Sequence, residues 1–183
     1  MFVQLNLLVG STYQRGFRYN FKGGVLMDSR EFRNAMGRFA TGVTVITTND
    51  GTDAHGMTAN AFMSISLEPK LITISIDNHA NMLKKIKASG QYAVNFLSDQ
   101  QQDISMNFAG QKKKEDGVDF GFIQGVPVIK ESLASVVCDV EQEIVVGDHT
   151  LFIGSVKDVK VTDGNPLTFY CGKYGDYRQK EYA

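Results

Sequence analysis

Three groups of residues in this 183-residue chain have types and spacing that could do chemistry. The first is "GMTANAFMSISLEP", Gly56 to Pro69, which sets Thr58, Ala59, Asn60, Ala61, Ser64 and Ser66 along one extended stretch. Alternation alone would be met by β-branched and aromatic residues on the buried side, so small polar side chains there need a reason. They would let a flat heterocycle lie close against the backbone and accept its N–H bonds. The Thr58, Ser64 and Ser66 hydroxyls and the Asn60 amide would add donors. The same residues equally suit a half-buried strand whose hydroxyls bond its own backbone. The second group is "GDH", Gly147 to His149, where the histidine either closes a hairpin turn or offers a polar contact to a ligand. The third is Asn95 in "YAVNFL", which reads more readily as a satisfied core amide than as a ligand contact.

Other chemistries find no support. His55, His79 and His149 lie in separate turns or strand edges, with no helical i, i+4 pair to ligate a metal. There is no Gly-x-Ser-x-Gly elbow for a serine nucleophile. No GxGxxG or phosphate-loop pattern indicates a dinucleotide fold. A net charge of −1 gives no global pull on nucleic acid or anionic lipid. No apolar run approaches the roughly 20 residues that cross a bilayer. The Lys112–Lys114 run reads as a solvated loop, with a phosphate-steering patch as the minor alternative. Cys138 and Cys171, without a CxxC, read as buried thiols in a reducing cytoplasm.

The elements that must position these residues are mostly strands. Asp28-x-x-Glu31 is a capping box for a helix over 29–40, with Phe32, Met36, Phe39 and Ala40 on one face. "VTVITT" (43–48) is a strand, "NDG" (49–51) a hairpin turn, and the Gly56–Pro69 stretch returns from it. "KLITISI" (70–76) is the next strand. Residues 78–90 form a helix with Met82, Leu83 and Ile86 inward and Gly90 just past its end. "YAVNFL" is a buried strand, and Ser98-x-x-Gln101 caps a short helix ending at Phe108-Ala109-Gly110. Short extended pieces lead to Ile129. A long hairpin then puts Val136, Cys138, Val140, Ile144 and Val146 on one face and Asp139, Glu141 and Glu143 on the other. "LTFYCG" is the last strand. Few helices and hairpin-joined strands predict a mainly β, antiparallel barrel with peripheral helices.

Residues 1–26 carry Arg15, Arg18 and Lys22 without an acid. Their apolar segment precedes the charges, the reverse of a secretory signal. Lys22-Gly23-Gly24 can be encoded by a purine-rich bacterial ribosome-binding site, with Met27 at a start-codon spacing. The expectation is that 1–26 is an upstream misreading and 27–183 a single domain; a genuine disordered or swapped arm is the alternative.

Taken together, "RFATGVTVITT", "HGMTANAFMSISLEPKL", "YAVNFLS", "NFAG", "GDHTLFIGSVKDV" and "PLTFYCGKY" resemble, in order and spacing, the flavin reductase family. These are the small reductase components of two-component flavin-dependent aromatic monooxygenases. The likeness runs from Met27 to Tyr174 and is nearest to phenol and 4-hydroxyphenylacetate hydroxylase reductases. It implies an antiparallel FMN-binding split barrel, a cytoplasmic homodimer, FAD or FMN as cofactor, NADH or NADPH as hydride donor, and an oxygenase partner that receives reduced flavin. Residue by residue, it puts Thr58, Ala59, Asn60 and Ala61 against the isoalloxazine, with Ser64 and Ser66 nearby. Ser75 and Asn81 would meet the ribityl phosphate, the latter at a helix N-terminus whose N–H groups suit an anion. Phe108, Ala109 and Gly110 would close the pocket. Asp148, His149 and Tyr174 would border the nicotinamide, His149 being the candidate catalytic residue. Met82 and Ala61 depart from the family pattern, which often has Ser or Thr at the first position and Ser at the second.

Hydride transfer needs no nucleophile, triad or metal, only two rings held at reacting distance, so the missing catalytic constellation is expected. Two alternatives use the same barrel. One is an oxidase with permanently held FMN, like that acting on pyridoxamine phosphate. The other is a flavin-binding protein without catalysis.

Overall fold

A computed structural model of the chain describes residues 28–51, 53–111 and 117–179. The expectations for residues 1–26 and for the Lys112–Lys114 run lie outside the described residues. In chain order, α1 (Ser29–Met36) precedes β1 (Thr41–Gly42), β2 (Thr44–Asn49), β3 (Ala54–Ala59), β4 (Phe62–Leu67) and β5 (Lys70–Asp77). Next come α2 (Asn81–Ser89), β6 (Gln91–Phe96), a 3-10 turn over Asp99–Gln101, and α3 (Gln102–Phe108). The chain then forms β7 (Phe120–Ile123), β8 (Val126–Ile129), β9 (Ala134–Val146), β10 (His149–Val161), β11 (Leu167–Tyr170) and β12 (Lys173–Asp176).

Seven antiparallel strands pair in the order β3-β2-β6-β9-β10-β5-β4. The two ends of that order, β3 and β4, are consecutive in sequence and joined only by Asn60 and Ala61. So short a link reaches about 10 Å, and the sheet must curl until its edges almost meet. That is a barrel with a split. Ile46, Ile74, Ile76, Tyr92, Val94 and Phe152 fill its interior, and α2 adds Met82 and Ile86 to the same core. Smaller apolar clusters lie outside, one under α3 and β11 and one under β8.

Several elements form for the expected reasons. Gly90 ends α2 at φ 67°, a left-handed cap that glycine adopts without a Cβ clash. Ser98 and Gln101 make the full reciprocal capping box ahead of α3. Asn95 is a fully buried, fully used amide. It donates to Val45 O and Thr47 Oγ1, both at 2.9 Å, and accepts from Ile129 N at 3.0 Å and Ser135 Oγ at 2.9 Å.

Other expectations are corrected. The Gly56–Pro69 stretch is two strands, because closing the sheet requires the chain to leave one edge at Asn60 and join the other at Phe62. Helix α1 stops at Met36, and Asp28 caps it by accepting from Arg30 N at 2.9 Å. Its apolar face buries nothing in this chain, Phe39 being 78% exposed. The long hairpin does not keep one face throughout. A register shift at Glu141 moves Ile144 and Val146 to the face opposite Val136, Cys138 and Val140, and turns Glu143 toward Lys87 on α2 at 2.6 Å. Val137, between Val136 and Cys138, is buried as well, beneath β8. Beyond "LTFYCG" lies a further strand, β12, reached through Cys171 at φ 48°. Cys138 is buried and its thiol is pushed up to about 12 by desolvation, whereas Cys171 is exposed.

Replacing Asn95 by Leu strands the Ile129 N–H and the Ser135 hydroxyl inside the core. The expected cost is about 3 kcal/mol, from unsatisfied buried groups at ~1–3 kcal/mol each, read as a lowered urea midpoint. An unchanged midpoint would contradict the network's structural role.

Candidate functional site

The split organises two clusters. On one side, β3 ends the sheet, and no strand among the described residues pairs with its outer edge. Gly56 lets the Phe108 ring lie directly on this strand; a Cβ there would come within 2.4 Å of the ring. Thr58, one residue pair along on the same face, donates its hydroxyl to Ser105 O at 2.6 Å. Ser105 Oγ in turn meets the Tyr174 hydroxyl at 2.9 Å, and Tyr174 packs edge-on against Phe169, with ring centroids 5.3 Å apart. Ala109 and Gly110 close α3 immediately beyond Phe108, the Ala109 N–H bonding Ser105 O at 2.9 Å. Thr58, Phe108, Ala109, Gly110 and Tyr174, distant in sequence, thus form one wall.

The neighbouring cluster runs along β5. Ser75 N donates to Ala61 O at 3.1 Å, which fastens the crossover to β5. Ile74 and Ile76 point into the barrel, so Ser75 and Asp77 take the outer face, and His149 pairs directly with Asp77 in register. Gly147 and Asp148 make the two-residue hairpin turn, with Gly147 at φ 61°. Asn78 clamps this turn. Its N–H donates to Asp148 O at 3.0 Å, and its side-chain oxygen accepts from Thr150 Oγ1 at 2.7 Å. Three residues later α2 begins at Asn81, with no side chain capping its first turn. Its leading N–H groups therefore carry no side-chain acceptor and suit an anion.

His149 Nδ1 lies 2.8 Å from Asp148 Oδ1. An ionised carboxylate only accepts, so Nδ1 carries the proton and Nε2 is the ring nitrogen left for a ligand. The same bond, opposed by partial desolvation, holds the Asp148 carboxyl below its usual value.

Not every anticipated residue joins. A register shift at Ile65 puts Ser64 and Ser66 on opposite faces of β4. Ser64 shares the face of Phe62, whereas Ser66 shares the outer face but pairs with Leu71, about 13 Å along β5 from Ser75. Thr58 spends its hydroxyl on α3 and Ala59 faces the core, so both offer a ligand only their peptide groups. Met82 is buried in the core, which accounts for an apolar residue at that helix position. Asn60 is half-buried, its amide 3.4 Å from Thr41 Oγ1. Sequence reasoning missed Asn78 and Ser105. An Asn just after a strand is a recognised backbone binder, but a lone helical Ser carries no such signal. It missed too the half-buried group in which Lys85 Nζ donates to Asp50 Oδ2 at 2.8 Å and to His55 Nε2 at 2.7 Å. That group ties the β2–β3 turn to α2. Among the described residues, no three His, Cys, Asp or Glu side chains gather as a metal site.

Residues 36–178 match the flavin reductase like domain. The chain belongs to the flavin reductase family. Over 145 residues, 78% of this chain and 82% of the other, it is 43% identical to an NADH-dependent flavin reductase of a Rhodococcus species. It is 34% identical to the reductase component of 4-hydroxyphenylacetate 3-monooxygenase of Thermus thermophilus, covering 76% and 90% of the two chains. Among solved structures it is similar to flavin reductase PheA2 in its native state, at 57% identity and TM-score 0.81, covering 84% and 100%. It is similar also to a Streptomyces globisporus NADH:FAD oxidoreductase solved with NAD and FAD fragments, at 31% identity and TM-score 0.77, covering 85% and 98%. The split barrel and antiparallel sheet expected from the sequence are the fold of this flavin reductase.

The Asp148–His149 pair makes a pH prediction. Because the folded-state pKa is lowered, the stabilisation is complete above the ordinary carboxylate value near 3.9 and is lost as pH falls through the lowered one. Carboxyl NMR should show Asp148 titrating below about 3.9, and His149→Ala should move it back up. A titration indifferent to that substitution would break the assignment.

Proposed function

We propose that this chain is an NAD(P)H-dependent flavin reductase that takes up FAD or FMN, reduces it and releases it to a separate monooxygenase acting on phenolic or aromatic substrates. The observation that carries the reading is the peptide edge at Thr58–Ala61, cleared of bulky side chains and flanked by Phe108 and Tyr174 on one side and Ser75 and His149 on the other. The residues fit the cofactor: a flat surface for a ring system, peptide donors beside it, and an uncapped helix turn for a phosphate. Bound flavin and nicotinamide supply the hydride acceptor and donor.

The chain's own work is positioning. Phe108 and Tyr174 wall the ring site, and their links through Gly56 and Ser105 hold them in place before any ligand arrives. Peptide N–H groups at the crossover would stabilise negative charge on a bound flavin, and would do so best if held in place beforehand. His149, fixed by Asp148, presents Nε2 to the nicotinamide or the flavin and need not transfer a proton. NADH is favoured as donor, as in the names of the Rhodococcus relative and of an Agrobacterium fabrum FMN reductase (NADH), 35% identical over 154 residues. The two free thiols suit a reducing cytoplasm.

The protein works as a homodimer. Phe32, Met36 and Phe39 around α1, and Met63, Ile65 and Leu67 on the edge strand β4, are all exposed in the single chain. Edge strands and apolar faces of this kind are covered in working proteins. A second copy of the chain supplies the cover.

The purified protein should oxidise NADH when free FAD or FMN is added, with no aromatic substrate present. Turnover that persists after dialysis without added flavin would point instead to an oxidase with resident FMN, and flavin binding without NADH oxidation to a carrier. Asn60→Leu should weaken flavin binding about 10-fold or more, equivalent to about 1.4 kcal/mol; unchanged affinity would misplace the ring.

Sedimentation should find a dimer, and Leu67→Glu with Ile65→Glu should shift it toward monomer. A monomeric wild type would reject the assembly.

A further inference from the structure

We propose, resting on the flavin reductase reading of the site, that Thr150 and Asn78 are positioning residues for the nicotinamide step. Their hydrogen bond, made at the inner face of the barrel, aims His149 at the nicotinamide on the outer face.

His149 stands where a side chain is hard to hold still. The ladder between β10 and β5 ends at the His149–Asp77 pair, so Gly147 and Asp148 lie beyond it. Val145 and Val146, on the other arm of the hairpin, are exposed. Tips of this kind are ordinarily the loosest part of a sheet. The Asp148 carboxylate bonds the His149 ring, yet its own side chain is 86% exposed. An ion pair at so exposed a group contributes little by itself. It fixes the ring relative to the turn, not the turn relative to the barrel.

The second task falls to the buried side of the strand. Thr150 pairs with Ile76 in register, faces the interior as Ile76 does, and is 1% exposed. Asn78 lies just past the end of β5, and its Oδ1 accepts from the Thr150 hydroxyl at 2.7 Å. With the oxygen engaged there, the amide nitrogen is turned toward Gly147 O, 3.4 Å away. The Asn78 backbone N–H donates to Asp148 O at 3.0 Å. One asparagine, itself oriented by Thr150, therefore ties both residues of the turn to the barrel wall. Thr150 and His149 are neighbours on β10 and project to opposite faces. Thr150 is too deeply buried to meet a ligand, so any effect it has on the nicotinamide must pass through the turn.

The test is steady-state kinetics of the full chain with FMN added and NADH varied, with FMN affinity read from flavin fluorescence. Thr150→Val, which removes the hydroxyl at similar size, should raise the NADH KM about fivefold and keep kcat within about twofold, as loss of one hydrogen bond behind a binding contact would. FMN affinity should not change. Thr150→Ser, which keeps a hydroxyl, should restore the KM, and Asn78→Ala should raise it at least as far as Thr150→Val. In a His149→Ala background Thr150→Val should add nothing, because the residue it acts through is gone. A merely structural threonine would reduce the active fraction, and with it kcat, in both backgrounds and leave the KM alone. An unaltered KM in Thr150→Val, FMN affinity falling in step with the KM, or an equal effect with and without His149 would each overturn the proposal and leave the reductase reading standing. A wild type that does not oxidise NADH with FMN present would remove that reading and the proposal together.

Discussion

The structure depends on one topological constraint: two residues, Asn60 and Ala61, must carry the chain from one edge of a seven-stranded sheet to the other. The link is too short to span an open sheet, so it enforces closure. Closure in turn leaves a place where backbone passes from one strand edge to the other. Peptide groups at that crossing are fixed by their surroundings, Ala61 O by Ser75 N at 3.1 Å and Asn60 O by Phe62 N at 3.0 Å. A site made of such groups is ordered before a ligand enters, which lowers the cost of binding a rigid ring.

The small polar residues of the stretch then have two kinds of reason, and neither is quite the one alternation suggests. Hydroxyls do bond backbone, but across the fold and not within their own strand. Thr58 reaches Ser105 O on α3, and Thr44 reaches Ala59 O at 2.6 Å. The first bond commits the Thr58 side chain to α3, and the pleat of the strand turns Ala59 into the core. What they leave at the open edge is peptide, which explains why small residues matter more than any particular polar group. Gly56 makes the same point, since the Phe108 ring occupies the space its side chain would need.

Much of this was legible in sequence because it is local. β-Branched runs, a glycine cap after α2, the Ser98–Gln101 box and the "GDH" turn all depend on residues within a few positions of one another. Several of the misses are consequences of distant contacts. The break at Asn60 follows from sheet closure. The reversal of faces at Glu141 and Ile65 follows from single-residue bulges, which period-2 patterns cannot register because both strands still look alternating. Helix α1 keeps Phe32 and Met36 exposed because nothing among the described residues packs there. Of the candidate site, the peptide stretch and the His149 turn could be read directly. The bridge from Thr58 through Ser105 to Tyr174 could not, since three distant segments meet only in the folded chain.

The electrostatics of the proposed site suit a flavin that must leave as well as arrive. A phosphate at the start of α2 meets N–H dipoles, worth roughly 0.3–2 kcal/mol. Two cations of that helix are already committed, Lys85 to Asp50 and His55, and Lys87 to Glu143. No bidentate arginine clamp is formed by the residues that line the crossover. Binding then rests on ring contact and peptide hydrogen bonds, a combination consistent with affinities near −8 kcal/mol, micromolar, and not the −12 kcal/mol of a nanomolar holder. Tighter binding would slow release without improving the alignment of two rings, so a reductase that supplies a second protein gains nothing from a charged clamp. Alignment is instead provided by the rigid walls, Phe108 on Gly56 and the Asn78-clamped turn, which position ligands without retaining them.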